Sequence, residues 1–296
     1  MPDSQSLPQL GYSVGRTRRF LPRYQARACA FFHYLTLSLH QLDTKSLRMV
    51  GCSAIVSTGF GRSPTIPIWG EKMLCVLYQL GLIDYGEAYN IQKRLWSQKI
   101  NGQAADALLL LEHSPTFTIG KSGKLENLLA SREELAKEGI SLFFTGRGGD
   151  ITYHGPGQLV VYPIIDLKNR GKDIHRYVHD LEEVVIRTLA DLSIEACRDE
   201  RNVGVWVGND KIAAIGVSVR RWVTMHGLAL NVNPILEHFS FIRPCGLLDG
   251  GIMSIAQVLS RDLPMEVVIQ GLVAHFSEVF DAHIEAGSID SLRSSS

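Results

Sequence analysis

Four short segments hold the residues whose types and spacing could do chemistry. The densest is Thr145-Gly-Arg-Gly-Gly-Asp-Ile-Thr-Tyr-His-Gly-Pro-Gly-Gln158, with five glycines around an arginine, a histidine and a glutamine. Glycine lets the backbone take positive φ and approach a ligand closely. Successive N–H groups in such a frame can cradle a carbonyl or an oxyanion. The same composition suits a loop that only turns the chain. Arg147 and His154 argue for binding, because turning requires neither. Lys211-Ile-Ala-Ala-Ile-Gly-Val217 places a lysine at a hairpin turn, where lysine is usually a solvated charge. Met225-His-Gly-Leu-Ala-Leu-Asn231 is rich in small residues, which fits either a ligand wall or a crowded sheet. In Phe241-Ile-Arg-Pro-Cys-Gly246 a cysteine sits between proline and glycine near Arg243. That is a poor setting for a core cysteine and a good one for an exposed thiol, whose pKa neighbouring positive charge lowers.

Two further patterns fail as nucleotide sites. Gly120-Lys121-Ser122 ends like a P-loop, but Pro115 stands where its first glycine is needed. Gly146-Arg-Gly-Gly149 lacks the third glycine of a dinucleotide fingerprint, Ile151 standing there. The five cysteines (Cys29, Cys52, Cys75, Cys197 and Cys245) form no C-x-x-C pair, so neither a zinc site nor a disulfide framework is indicated. Thirty basic and thirty acidic residues balance to zero net charge, which argues against bulk attraction to nucleic acid or an anionic membrane. No run of eighteen apolar residues suggests a transmembrane helix.

The elements that must position these segments read most clearly from Met73 onward. Cys75–Leu80, Ala107–Leu111, Leu159–Leu167 and Leu228–Val232 read as strands. Val203–Val207 and Ile212–Val219 read as a hairpin. Tyr85–Lys99, Asp173–Leu192 and Pro264–Ala282 carry helical periodicity, and Ser131-Arg-Glu-Glu134 is a capping box before a short helix ending near Gly139. Hairpin strands mixed with helices indicate an α+β domain around one mixed sheet. That domain spans residues 73–287, and the serine-rich residues 288–296 read as a frayed tail. Residues 1–70 are arginine-rich and acid-poor, with no sustained period. They fit a mitochondrial transit peptide, a disordered tail, or a start assigned too far upstream. The last suits Met73, which opens the first strand-like run directly. The basic lead-in to Ala28–Leu39 faintly suggests a signal peptide, but no small-residue cleavage site follows it.

Together the four segments resemble the lipoyl (octanoyl) transferase family, from about Leu77 to Ile255. Arg147-Gly-Gly-x-x-Thr-x-His-Gly-x-Gly-Gln158 matches that family's signature, and the other three segments follow in its order and spacing. The resemblance implies a fold similar to the catalytic domains of biotin and lipoate protein ligases, a mixed sheet flanked by helices. It implies that Cys245 accepts an octanoyl group from octanoyl-acyl carrier protein as a thioester, assisted by Lys211. It also implies an acyl site walled by Arg147, Gly148, Gly149, Asp150, Ile151, Thr152, Tyr153 and His154, by Ala214, Ile215 and Gly216, and by Gly227, Leu228 and Ala229. The acceptors would be lysines on the lipoyl domains of 2-oxoacid dehydrogenase complexes and on glycine cleavage H protein, with no metal, cofactor, nucleic acid or membrane required. The expected location is the cytoplasm, or the mitochondrion if residues 1–70 are a transit peptide. The rivals are an ATP-dependent lipoate or biotin ligase of the same fold, which would not need Pro-Cys-Gly, and a non-catalytic binding protein, which would not need Lys211 or Cys245.

Overall fold

The computed structural model describes residues 72–199, 202–243 and 250–293. In chain order these form β1 (Met73–Ile83), α1 (Tyr85–Ile100), β2 (Asp106–His113), β3 (Thr116–Ile119), α2 (Arg132–Lys137), β4 (Ser141–Phe144), β5 (Ile151–His154) and β6 (Gln158–Ile164). There follow α3 (Ile174–Asp191), β7 (Cys197–Asp199), β8 (Asn202–Val207), β9 (Asp210–Arg220), β10 (Val223–Asn231), α4 (Ile255–Leu259), α5 (Met265–Val279), β11 (Ala282–Ala286) and α6 (Ile289–Arg293). The reading of residues 1–70 falls outside the described residues, apart from the start of the domain at β1. Among the described residues no helix is long and apolar enough to cross a membrane.

Eight strands make the main sheet in the order β11-β1-β2-β6-β10-β9-β8-β7. β1 pairs in parallel with β2 and β11, and the remaining neighbours are antiparallel. The mixed sheet expected from the sequence is therefore present. Ala107–Leu111 of β2 is an unbroken apolar run because both faces of the strand are covered. On one face Leu181, Val184 and Val185 of α3 join Val268, Leu272 and Phe276 of α5 over Leu108, Leu110, Leu159 and Val161. On the other, Ala88, Ile91 and Leu95 of α1 cover Leu109, Leu111 and Val160. The capping box acts as read, while Asp173 and Pro264, read as the first residues of their helices, are the N-caps of α3 and α5. Asp173 caps α3 by accepting from Arg176 N, and both bonds of the Ser131–Glu134 capping box form.

A second sheet, β4-β3-β5, was not foreseen. The glycine-rich segment is not one loop: Ile151–His154 is a strand paired with β3. The glycines cluster at its two ends, and the β-branched and aromatic residues between them suit a pleated edge. Residues 288–293 also differ from the frayed tail expected. Gly287 N donates to Leu77 O, and α6 buries Leu292, only 3% exposed, in the α1-side core.

The β9–β10 register turns two separate sequence segments into one strip. Ala214 faces Ala229, Ile215 faces Leu228, Gly216 faces Gly227 and Val217 faces His226. Gly227 is required by packing, since a Cβ there would lie 2.1 Å from Val161 O of the neighbouring strand. Gly227→Ala must push β6 and β10 apart and is expected to cost about 1–3 kcal/mol. At about 2–4 °C per kcal/mol for a domain of this size, the melting temperature should fall clearly in a thermal melt, and an unchanged value would show that the strands can separate freely.

Candidate active site

One cavity of about 460 Å³ opens along this strip, within the size range of small-molecule sites, about 300–1,000 Å³. Its walls include Arg147, Gly148, Gly149, Asp150, Ile151, Thr152 and His154 from the glycine-rich segment, and Ala214, Ile215, Gly216, Gly227, Leu228 and Ala229 from the strip. Lys211 stands at its edge. The residues singled out in the sequence are thus brought together, with two exceptions. Tyr153 is corrected: it is fully buried on the other side of β5, packed on Phe117 and Phe239, with its hydroxyl 2.7 Å from His238 Nδ1. Successive residues of a strand point to opposite faces, so Thr152 and His154 face the cavity while Tyr153 turns away. Cys245 lies outside the described residues. Asp150 lines the cavity, but its carboxylate accepts from Ile151 N at 2.7 Å, Lys124 N at 3.1 Å and Asn127 Nδ2, which makes it a loop brace.

Lys211 is not the solvated turn lysine its position suggested. The turn is Gly208-Asn209, and Lys211 is the second residue of β9, 9% exposed. Its Nζ donates to Asn202 Oδ1 at 2.9 Å and Val203 O at 3.1 Å, and lies 4.7 Å from the centre of the Trp206 ring. These acceptors and the π-face favour an ammonium.

The interior of the site is a hydrogen-bonded polar cluster. Met253 O can only accept, so Asn231 Nδ2 faces it at 2.9 Å and Asn231 Oδ1 faces Gln158 Nε2 at 2.9 Å. Gln158 Oε1 then accepts from His154 Nδ1 at 2.8 Å, which leaves His154 Nε2 to accept from the Thr118 hydroxyl at 3.4 Å. Thr118 Oγ1 in turn accepts from Arg147 Nε and Nη2 at 3.2 and 2.9 Å. Arg147 also donates to Thr118 O at 2.6 Å and Gly148 O at 2.9 Å. A parallel arrangement holds His113, whose Nδ1 donates to Ile83 O at 3.0 Å while Nε2 accepts from Tyr162 OH at 2.8 Å. Thr145 Oγ1 accepts from Tyr85 OH at 3.1 Å and lies 3.3 Å from His226 Nε2. Tyr85, Tyr162 and His226 all line the cavity, and none was singled out as a site residue from sequence. A lone histidine or tyrosine in an apolar strand gives little signal, although His226 lay inside one of the four segments.

Burial keeps these histidines neutral. It pulls His113 and His226 down to about 4, and His154 well below its usual range, with neighbouring histidines and Arg147 adding to the effect on His154. Burial also lowers Arg147, and it raises the hydroxyls of Tyr85 and Tyr162. The walls therefore carry Lys211, the buried guanidinium of Arg147 held by neutral acceptors, the braced carboxylate of Asp150, and otherwise neutral groups. Such a space suits an apolar chain whose reactive end meets the lysine. Among the described residues no cluster of His, Cys, Asp or Glu is arranged to hold a metal.

The architecture is that of the lipoyl protein ligase A/B catalytic domain, a family that matches residues 84–277. Lipoate-protein ligase A, solved with bound ATP, shares the fold at a TM-score of 0.59 and 16% identity, over 75% of this chain and 92% of that one. The bi-partite lipoate protein ligase of Thermoplasma acidophilum does so at 0.54 and 18%, over 74% and 90%. The octanoyltransferase of Caldicellulosiruptor saccharolyticus is 49% identical over 205 residues, 69% of this chain and 87% of the relative. That of Solibacter usitatus is 49% identical over 214 residues, 72% and 96%. The chain belongs to the octanoyltransferases of this family, acyltransferases of protein lipoylation.

The neutral histidines give a pH dependence. An unfolded histidine titrates near 6.5, and His113 and His226 titrate at about 4 in the fold, so unfolding takes up protons between those values. Stability is full above about pH 6.5 and is lost as the pH falls toward 4, by about 3 kcal/mol for each of the two. Chemical denaturation from pH 7 to 4.5 should show this decline. A flat profile would mean that the histidines are protonated in the fold.

Proposed function

We propose that Cys245 takes the octanoyl group from octanoyl-acyl carrier protein as a thioester and passes it to a lysine of a lipoyl domain, with Lys211 managing charge and proton. The observation that carries this reading is Lys211, a buried lysine on the cavity wall whose Nζ is held by Asn202 Oδ1 and Val203 O. The flanks of the Cys245 segment support it. Before the segment, Arg243 N donates to Asn127 O at 2.7 Å, and Asn127 also holds Asp150 of the glycine-rich segment. After it, Gly251 N donates to Asp210 Oδ1 at 2.7 Å, Gly251 O accepts from Lys211 N at 3.0 Å, and Met253 N donates to Lys211 O at 2.9 Å. The described residues on either side thus lie against the brace of the glycine-rich segment, at Arg243, and against the strand of Lys211, at Gly251 and Met253.

The chemistry follows in two half-reactions. A thiolate of Cys245, paired with the Lys211 ammonium, attacks the carbonyl carbon of the carrier thioester. The carrier's thiolate leaves and takes a proton from Lys211. The amine of the incoming lysine then attacks the Cys245 thioester and gives its proton to the now neutral Lys211. An amide forms, the Cys245 thiolate departs, and the starting ion pair is restored. The thioester supplies the driving force, so the transfer proceeds without ATP.

Intact-mass measurement after incubation with octanoyl-acyl carrier protein should show one octanoyl adduct, mapped to Cys245 and absent from Cys245→Ala. Near-normal turnover by Cys245→Ala would remove the thioester mechanism. Iodoacetamide labelling of Cys245, followed by peptide mapping to separate it from exposed Cys197, should titrate below the free-thiol value of about 8.5. Lys211→Met should raise that midpoint. If the midpoint stays where it is, Lys211 does not stabilise the thiolate.

A further inference from the structure

At the end of the strip opposite Lys211 the cavity is closed by three rings, those of Tyr85, Tyr162 and His226. Both hydroxyls and one imidazole nitrogen are engaged with neighbouring groups. Tyr85 OH and His226 Nε2 both meet Thr145 Oγ1, and Tyr162 OH meets His113 Nε2. The wall therefore presents mainly ring bulk and carbon surface to the cavity. The approach to it is lined by the smallest residues of the strip, Ala214 facing Ala229 and Gly216 facing Gly227. Side-chain bulk returns one register step later, where Val217 faces His226.

His226 is set at that step by its backbone as well as by its ring. It has φ +60, a left-handed conformation inside a strand. Its N–H leaves the sheet ladder and donates to Gln92 Oε1 of α1 at 2.9 Å. The ring stacks on Tyr89 at 5.8 Å and meets Tyr162 edge-on at 6.3 Å. Two elements, β10 and α1, thus hold one side chain across the end of the acyl channel.

We propose that His226, backed by Tyr85 and Tyr162, is the chain-length stop of the acyl site: the terminal carbons of an eight-carbon chain end against it, and longer chains are refused. This inference rests on the thioester reading above, with the carbonyl end of the chain at Lys211. His226→Gly removes the ring and suits the left-handed backbone. His226→Asn tolerates the same φ with a smaller side chain. Tyr85→Phe keeps the ring and loses only its bond to Thr145.

The test offers the full-length chain equal amounts of octanoyl- and dodecanoyl-acyl carrier protein and measures the two adducts by intact mass. Wild type should carry almost only octanoyl. Each methylene newly admitted to an apolar space favours binding about fourfold, so His226→Gly should raise the dodecanoyl-to-octanoyl ratio by about tenfold or more. His226→Asn should raise it less, and Tyr85→Phe should keep the wild-type ratio. A wild type that takes both chains equally overturns the proposal without any variant being needed. An unchanged ratio in a folded His226→Gly or His226→Asn also overturns it, as does a Tyr85→Phe shift equal to that of His226→Gly, which would assign the effect to the hydrogen bond. A wild type that takes neither chain overturns the thioester reading itself, a result distinct from these.

Discussion

The guanidinium of Arg147 is buried, and among the described residues its hydrogen bonds go to Thr118 O, Thr118 Oγ1 and Gly148 O. A buried cation held by neutral acceptors tolerates no misplacement, because every lost bond leaves charge desolvated. This fixes the glycine-rich segment on β3 from one side. Gly148 N donates to Val217 O at 2.9 Å and fixes it on β9 from the other. The smaller sheet is thereby held against the larger one at the point where the cavity forms.

From Arg147 the donors all run one way, through Thr118, His154, Gln158 and Asn231 to the carbonyl of Met253. Met253 N then donates to Lys211 O. The series starts in the glycine-rich segment and ends on the backbone that frames the lysine. Each group has one available role, and reversing any member would leave two donors or two acceptors face to face. Buried networks of this kind are strong when complete and costly when broken. Completeness here requires neutral histidine, and the depth at which His154 lies enforces that.

How much of this could be read in the sequence depended on how locally each feature is encoded. The long helix α3 repeats its apolar residues over several turns, and the Ser131–Glu134 capping box needs only four positions; both were legible. β3 is four buried residues with no alternation, and its partners β4 and β5 lie far along the chain, so the smaller sheet was not. The signature string revealed the cavity wall but treated its residues alike, and only the pleat of β5 separates Tyr153 from its neighbours. Thr118, His113 and Gln92 act through partners dozens of residues away or more. Their one local trace is a polar residue where periodicity predicts an apolar one, as with Gln92 on the buried face of α1.

The pairing of β1 with β11 bears on how the chain reaches this state. Met73–Leu77 lies parallel to Ala282–Ala286, so the outer neighbour of the domain's first strand is nearly its last element. Ribosomes add about 5–20 residues per second, which puts on the order of 10–40 s between the emergence of the two partners. Throughout that interval the nascent chain carries an unpaired strand edge, a template for mispairing with other chains. Native pairing at such sequence separation is also slow, because loop closure must precede any gain from contact. The sheet therefore gains its last strand on β1 late, and until β11 emerges that edge depends on its twist and its side chains to stay apart from other strands.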